Sequence, residues 1–184
     1  MTKNEIRKSF LLKRDALENR DEKSSAICMK VINSDVFKNS RCVFVYLSYK
    51  SEVNTFEIVR KCFDEGKKVC VPYTDGDGIM YAVEIESLDG LVKNKWGIFE
   101  PKTCEKKADK SQVDLCIAPG SVFDRQLNRI GYGKGYYDRF LKGANAFKMA
   151  LAFECQIAEE LPNEPFDIKM DCIVTENGVI GKNI

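Results

Sequence analysis

The chain has 184 residues, of which 44% are hydrophobic and 31% charged, and this length and composition predict a single domain over residues 1–184. The net charge of +1 gives no indication of nucleic acid or an anionic membrane surface as a partner. Histidine is absent, which excludes a His-based triad, a histidine general base and histidine metal ligands. Catalysis would have to use carboxylates, Lys, Arg, Tyr, backbone amides or a metal ion.

Three features of the sequence indicate a cytoplasmic protein. The N-terminus is a charged amphipathic segment without the apolar core of a signal peptide. No uninterrupted apolar run approaches the ~20 residues that a membrane span needs. The eight cysteines form no C-x-x-C pair and mostly lie inside apolar runs, so we expect small buried thiols rather than a zinc site.

The first predicted element is an N-terminal helix. Thr2 and Glu5 fit a capping box, and apolar residues at helical spacing continue to about Asn19. Lys3 and Arg7 then fall one turn apart near the helix N-terminus, where the helix dipole disfavours cations. A solvated face is one interpretation, and an anion bound by the two cations is the other.

A second helix is predicted over about residues 22–33, and residues 41–47 form an apolar run typical of a buried parallel strand. The polar loop that follows contains Glu52. Ligands of open α/β sheets collect at the carboxyl ends of strands, so Leu47 and Glu52 are candidate pocket residues. Solvation in the loop is the alternative for Glu52.

A β-α-β unit is completed by a helix over residues 54–65 and a strand over residues 68–72, with a right-handed crossover expected. Residues 75–78 resemble part of a calcium loop, but a hairpin turn before a strand at 79–83 is favoured because the other ligands are absent. Residues 95–101 have no clear period and contain Trp96, for which core packing and ligand stacking both stay open.

The second half of the chain is predicted to add three strands to the sheet, at residues 113–118, 147–153 and 172–175. Residues 105–111 are expected to be an exposed loop, and residues 156–161 a short helix. Asn177-Gly178 predicts a hairpin before a last strand at 179–180. This order predicts a single α/β domain with a mostly parallel sheet.

Residues 128–139 contain the most informative pattern, Gly131, Gly133 and Gly135 alternating with Tyr132 and Lys134; residues 131–135 are called the glycine loop below. The spacing is neither the dinucleotide fingerprint nor the P-loop. Glycine lets several N–H groups turn onto one anion, and a helix starting near residue 136 would add to this. The pattern predicts a phosphate cradle, with an ordinary surface turn as the alternative.

Residues 114–139 resemble the 5-formyltetrahydrofolate cyclo-ligase family through Asp114, Pro119-Gly120, Phe123-Asp124 and the run from Asn128 to Arg139. Further resemblance extends over nearly the whole chain. It is carried by Lys3-x-x-x-Arg7, Leu47-Ser48, Glu52, Thr55, Trp96-Gly97-Ile98, Glu100-Pro101, Ala152-Phe153-x-x-Gln156 and Asp171-x-x-x-Thr175-Glu176. Phe166 departs from the family, since many members have histidine there.

The resemblance implies a three-layer α/β/α domain similar to the ribose-5-phosphate isomerase and CoA-transferase type. It implies that ATP and Mg²⁺ drive ring closure of 5-formyltetrahydrofolate to 5,10-methenyltetrahydrofolate. ATP and the folate would be the binding partners of a monomer or weak homodimer, without nucleic acid or membrane.

The resemblance also implies the site residues. Those implied for ATP are Lys3, Asn4, Glu5, Ile6, Arg7, Arg129, Ile130, Gly131, Tyr132, Gly133, Lys134, Gly135, Tyr136 and Tyr137. Those implied for folate are Leu47, Glu52 and the segment Tyr132, Gly133, Lys134, Gly135 and Tyr136, with Trp96 as an aromatic surface suited to the pterin. Arg7, Arg129 and Lys134 are the candidate catalytic cations, and Asp138 and Asp171 the candidate metal ligands.

Two alternatives remain open at this point. A nonenzymatic nucleotide- or folate-binding protein could keep such a pocket without turnover. A sugar-phosphate isomerase or acyl-CoA transferase could use a related fold. A pure binder would bind ATP without forming product, whereas the isomerase and transferase should not need ATP.

Overall fold

The structure is a computed structural model that describes residues 1–75 and 78–184. Its α-helices are α1 (Lys3–Asp15), α2 (Arg20–Asn33), α3 (Asp35–Asn39), α4 (Phe56–Asp64) and α5 (Tyr136–Leu141). The strands are β1 (Cys42–Val45), β2 (Lys68–Thr74), β3 (Met80–Ile85), β4 (Leu91–Lys93), β5 (Phe99–Pro101), β6 (Leu115–Ala118), β7 (Val122–Asp124), β8 (Arg129–Ile130), β9 (Phe147–Leu151), β10 (Ile157–Ala158), β11 (Cys172–Val174) and β12 (Val179–Gly181). Short 3₁₀ turns lie at Lys110–Gln112 and Glu154–Gln156.

The central sheet has seven strands in the order β12-β11-β9-β6-β1-β2-β3. Its five inner strands are parallel, and the edge strands β3 and β12 run antiparallel to their neighbours. Every residue of β1, β6 and β11 is buried, because inner strands of a parallel sheet are covered on both faces. The predicted α/β fold with a mostly parallel sheet is confirmed.

Alternate residues of the inner strands pack into two separate cores, one on each face of the sheet. Ile27 of α2, Phe37 of α3 and Ile58 of α4 are fully buried on one face. On the other face Phe44 of β1 meets Phe140 of α5, with ring centroids 4.5 Å apart. Helices therefore cover both faces, with a single short helix, α5, in the second core.

A small three-stranded sheet, β10-β7-β8, lies beside the main one. Val122 and Ile130 of this sheet are buried together with Leu161, which follows β10, and Ile6 and Phe10 of α1 pack against them. Because β8 leads directly into the glycine loop, this contact places α1 next to that loop.

Several local predictions are confirmed. Thr2 and Glu5 form the capping box of α1, and β1, α4 and β2 form the β-α-β unit. The hairpin at Asn177-Gly178 joins the antiparallel strands β11 and β12. The turn predicted at 75–78 includes residues 76 and 77, which lie outside the described residues; the flanking strands β2 and β3 pair antiparallel. Six of the eight cysteines are buried and all are free.

Other predictions are wrong. The helix expected at 156–161 is instead a 3₁₀ turn followed by β10, because Ile157 and Ala158 pair with β7. α4 begins at Phe56 with Thr55, not Asn54, at the N-cap position, although the Asn54 side chain does accept from the Phe56 amide at 3.1 Å. The Thr55 hydroxyl instead donates to the Tyr46 carbonyl at 2.6 Å. α3 was not predicted. Among the described residues no helix is long and apolar enough to cross a membrane.

Candidate active site

A cleft of about 1120 Å³ opens at the carboxyl ends of the inner parallel strands. Tyr46 and Leu47 follow β1 in its floor, and Pro119 follows β6. The walls come from α1, the loop after β1, the hairpin formed by β4 and β5, residues 129–139, and residues 164–167.

The glycine loop needs its glycines for conformation and for space. Gly133 and Gly135 have φ of +92° and +63°, in the region that side chains rarely adopt. A Cβ atom on Gly133 would lie 3.3 Å from the Arg7 guanidinium, and one on Gly131 would lie 2.6 Å from Arg129 Nη1. Alternating glycines therefore let two arginines approach the main chain from different sides.

Two cations of α1, Lys3 and Arg7, line the same cleft. Arg7 Nε donates to the Gly131 carbonyl at 2.7 Å, and its Nη1 donates to the Asn4 side chain. Lys3 Nζ lies 2.6 Å from Asp167 and 3.0 Å from Glu164. Burial acts to lower the pKa of Lys3, but the hydrogen bonds to these two carboxylates outweigh it and raise the pKa above its ordinary value.

Arg129 lies deeper, with a side chain 3% exposed. Its Nη2 donates to Asp138 at 3.0 Å and its Nη1 to the Pro119 carbonyl at 3.3 Å, while the guanidinium lies 5.6 Å from the Tyr137 ring centroid. The buried Arg129 Nε and Tyr137 hydroxyl have no hydrogen-bond partner among the described residues. Buried donors are normally satisfied, so these two groups are exceptions among the described residues.

The loop after β1 supplies the opposite wall. Glu52 accepts hydrogen bonds from the Tyr132 hydroxyl and from the Tyr49 amide, the latter at 2.8 Å. Burial raises the pKa of Glu52, although those hydrogen bonds and the Arg14 charge oppose the shift. Burial and the Glu52 charge also raise the pKa of Tyr132 far above its ordinary value. In this pair the Tyr132 hydroxyl is the donor and the Glu52 side chain the acceptor.

Aromatic side chains line the mouth of the cleft. The Trp96 ring is 55% exposed in the turn between β4 and β5, so core packing does not explain it. The Tyr132 ring is 46% exposed although its hydroxyl is engaged, and the Phe166 ring is 68% exposed. Large exposed rings on a concave surface are typical of a site for a flat ligand.

Comparison with known proteins identifies the family. Residues 1–176 match the 5-formyltetrahydrofolate cyclo-ligase family. The chain belongs to this family. A probable 5-formyltetrahydrofolate cyclo-ligase of Schizosaccharomyces pombe is 34% identical over 177 residues, covering 87% of each chain. The Mus musculus 5-formyltetrahydrofolate cyclo-ligase is 32% identical over 173 residues, covering 87% of this chain and 85% of that one.

A solved structure supports the same assignment. The NMR structure of Aquifex aeolicus 5,10-methenyltetrahydrofolate synthetase superposes with a TM-score of 0.85 at 31% identity, covering 100% of this chain and 96% of that one. The chain is therefore a ligase enzyme of the cyclo-ligase family, as the sequence resemblance implied.

Most of the residues that the resemblance implied lie together in the cleft. Those that line it are Lys3, Arg7, Leu47, Glu52, Trp96, Arg129, Ile130, Gly131, Tyr132, Gly133, Lys134, Gly135, Tyr136, Tyr137 and Asp138. Among them Lys134 is exposed, and its carbonyl accepts from Arg139 Nη2 at 2.9 Å. These positions are consistent with binding, while the individual roles stay predictions.

Asn4, Glu5 and Ile6 do not line the cleft, and their part in ATP binding stays a prediction. Glu5 accepts from the Thr2 amide at 2.8 Å, and these capping hydrogen bonds lower its pKa. Ile6 packs on the small sheet, and Asn4 holds the Arg7 guanidinium. Their backbone spacing positions the two cations that do reach the site.

The structure does not bring the two candidate metal ligands together. Asp138 lies in the cleft beside Arg129, whereas Asp171 precedes β11 at the amino end of the parallel strands and does not line the cleft. Lys148 and Lys182 lie 2.9 Å and 2.6 Å from the Asp171 oxygens. No group of three or more carboxylate or thiol side chains is placed to hold a metal within residues 1–75 and 78–184.

Two functional candidates were missed at the sequence level. Arg14 is buried in the cleft wall, and its spacing from Lys3 and Arg7 on one helical stripe could have indicated this. Arg139 Nη2 donates to the carbonyls of Gly78 and Lys134 at 2.7 Å and 2.9 Å. These two hydrogen bonds connect the segment just before β3 to the glycine loop. No local pattern indicates that second contact, because it joins segments 61 residues apart.

Proposed function

We propose that this protein converts 5-formyltetrahydrofolate to 5,10-methenyltetrahydrofolate with consumption of ATP and release of ADP and phosphate. Membership of the cyclo-ligase family supports the proposal. The observation that carries it is the position of the glycine loop between two walls. Gly131 is held by a cation of α1, and the next residue, Tyr132, is held by the Glu52 carboxylate of the opposite wall.

The ATP phosphates fit the cationic side of the loop. Arg7 of α1 donates to the loop, Arg129 of β8 precedes it, Lys3 of α1 lines the same cleft, and Lys134 adds a further charge on the loop itself. Phosphoryl transfer depends mainly on alignment and charge neutralisation, so it needs no strong protein base. A histidine-free chain can therefore support this reaction.

The folate fits the acidic and aromatic side. Each Glu52 oxygen already accepts one hydrogen bond, and each retains a lone pair for a substrate N–H group. A pterin presents adjacent ring N–H and amino donors, which a carboxylate matches with two parallel hydrogen bonds. Leu47 provides an apolar floor, and Trp96, Tyr132 and Tyr136 provide faces for the ring.

The proposed reaction has two steps, phosphoryl transfer to the formyl oxygen and ring closure by N10. The formyl oxygen on N5 attacks the γ-phosphorus, and the bond from that phosphorus to the bridging oxygen of ADP breaks. N10 then attacks the activated formyl carbon and loses its proton. Cleavage of the carbon–oxygen bond releases phosphate, and the N5 lone pair completes the cationic methenyl bridge. Arg7, Arg129 and Lys134 would hold the negative charge on the transferred group.

Magnesium enters this proposal as part of the MgATP substrate, because Mg²⁺ is commonly bound through substrate phosphates and water. The lysine partners of Asp171 and the Arg129 partner of Asp138 do not fit one resident metal site. The remaining parts of the proposal are a cytoplasmic location and a monomer or weak homodimer with small-molecule partners only.

One assay tests the function. Purified protein is mixed with 5-formyltetrahydrofolate, Mg²⁺ and ATP, and the absorbance of the methenyl product and the ADP released are followed together. We expect equal amounts of both, and none without ATP. ATP-independent conversion would contradict the proposal, and ATP binding without product would support the nonenzymatic alternative.

Isotope labelling tests the chemical step. Substrate labelled with ¹⁸O in the formyl group should transfer its label to inorganic phosphate, because the formyl oxygen leaves bonded to phosphorus. Appearance of the label in water instead would overturn phosphorylation of that oxygen.

A further inference from the structure

Arg14 joins three parts of the cleft. It lies on α1 and is 4% exposed. Its Nε donates to the Ser51 hydroxyl at 3.0 Å, and its Nη1 donates to the Tyr132 hydroxyl at 2.9 Å and to the Gly120 carbonyl at 3.4 Å. Burying a cation is unfavourable unless its donors are hydrogen-bonded, and these oxygen atoms of two loops and of the segment after β6 accept from the Arg14 guanidinium.

The hydrogen bonds around Arg14 have a fixed direction. A guanidinium only donates, so the Tyr132 hydroxyl must accept from Arg14 and can give its single proton to Glu52. The Tyr49 amide donates to the other Glu52 oxygen. Both oxygens of Glu52 are therefore used as acceptors, which matches an ionised carboxylate. Arg14 sets this order without itself touching Glu52 by a hydrogen bond.

We propose that Arg14 is a positioning residue for the folate substrate, which directs the Tyr132 hydroxyl to Glu52 and so keeps the Glu52 carboxylate an acceptor for substrate N–H groups. This proposal rests on the proposed function, since it concerns the folate wall of the same cleft. It predicts an effect on folate rather than on ATP, although Arg14 shares its helix stripe with Lys3 and Arg7.

The surroundings of Glu52 give the proposal a pH signature. The titratable groups near it are Arg14 and, through Ser51, Asp15 on α1, Tyr46 after β1, and Tyr132 and Tyr137 on the opposite segment. Burial already raises the pKa of Glu52, and the Arg14 charge opposes that shift. Without Arg14 the carboxylate should take up its proton at a higher pH. The acidic limb of kcat/KM for folate should then move to higher pH.

The test compares Arg14→Gln, Arg14→Lys and the matched control Lys13→Gln. Lys13 is the preceding residue of α1, is exposed, and lies 4.3 Å from the Phe10 ring outside the cleft. We expect Arg14→Gln to raise KM for 5-formyltetrahydrofolate roughly tenfold, the effect of losing a charge-supported hydrogen bond. KM for ATP should change less than about twofold. Lys13→Gln should leave both unchanged.

Arg14→Lys separates charge from geometry. It retains the cation but not the branched donor group, so KM for folate should rise while the acidic limb stays near its wild-type position. This variant also carries the test if Arg14→Gln fails to fold, which circular dichroism and thermal unfolding would show. Equal effects on KM for folate and for ATP would overturn the proposal.

A double-mutant cycle with Tyr132→Phe tests whether Arg14 acts through that hydroxyl. The double variant should raise KM for folate no more than Tyr132→Phe alone. Independent effects that multiply would overturn the proposal.

Failure of the proposed function is a separate result, because the wild-type protein would then show no ATP-dependent conversion. Calorimetry would still test the role of Arg14, by measuring the affinity of the wild type and of Arg14→Gln for 5-formyltetrahydrofolate. A tenfold weaker affinity in Arg14→Gln would support the positioning role, and an unchanged affinity would overturn it.

Discussion

Asp138 and Asp171 are both carboxylates paired with cations, but they lie in different regions of the molecule. Asp138 accepts from the buried Arg129 at 3.0 Å and lines the cleft. Asp171 lies between Lys148 and Lys182, and the Lys182 side chain is 66% exposed. An aspartate paired with a cation is therefore part of the cleft at Asp138 and lies outside the cleft at Asp171.

Sheet topology explains the difference. Asp138 is on α5, immediately after the glycine loop and above the carboxyl ends of the strands. Asp171 precedes β11, and Lys148 is near the start of β9, so their ion pair lies at the amino ends of two parallel strands. Ligands of such sheets bind at the carboxyl ends, whereas the Asp171–Lys148 ion pair lies at the opposite edge. The following predictions test the contrast between these two regions.

The largest expected effect comes from Gly133→Val in the cleft region. Residue 133 has a φ of +92°, which a branched side chain strains, and the valine side chain would also contact the Arg7 guanidinium. We expect ATP affinity to fall at least about 100-fold by calorimetry, because the phosphate approach is filled. Gly66→Val is the matched control, since Gly66 also has positive φ but lies against open space. Normal ATP affinity in folded Gly133→Val would contradict the phosphate cradle.

Arg129→Ala and Arg7→Ala should each lower turnover by roughly 100-fold, the effect of losing one preorganised charge-stabilising group. The two variants should differ in their free energy of unfolding. Removal of Arg129 leaves the half-buried Asp138 unpaired and should lower the free energy of unfolding by about 3 kcal/mol, whereas Arg7 is partly exposed. Steady-state kinetics and urea unfolding measure the two effects, and unchanged kinetics in both variants would remove the arginines from the mechanism.

Asp138→Asn should have an intermediate effect. The amide keeps the size of the side chain but loses the charge that holds Arg129, so turnover should fall by about tenfold. Measurement of rate against free Mg²⁺ distinguishes this positioning role from metal binding. A large increase in the Mg²⁺ concentration needed would show that Asp138 contacts the metal.

Asp171→Asn should leave turnover unchanged and lower stability by about 1 kcal/mol at neutral pH. Burial acts to raise the pKa of Asp171, but hydrogen bonds from Lys182 and Lys148 outweigh it and hold this pKa below its ordinary value. A depressed pKa contributes stability above the unfolded-state pKa, and the contribution disappears as pH falls through the folded-state value. The stability difference between wild type and variant should therefore shrink under acid in urea unfolding, and a loss of activity would show that Asp171 contributes to the site.

Hydrophobic pattern and local chemistry predicted much of the fold. Apolar runs identify β1, β6 and β9 because strands buried on both faces cannot alternate with polar residues. The same reasoning fails at residues 156–161, where β10 is only two residues long and exists through pairing with β7. A strand that short has no period of its own, so only its partner specifies it.

The candidate site also has features that the sequence predicts and features that only the tertiary structure decides. The alternating glycines by themselves favour a loop that admits close approach to its main chain, because access to positive φ and a missing Cβ are properties of glycine. Tertiary structure alone decided that Arg14 meets Tyr132 and that Asp171 lies outside the cleft, because both outcomes depend on contacts with residues more than 20 positions away. A charge in the sequence becomes part of a site only where the fold removes it from water beside the other groups of that site.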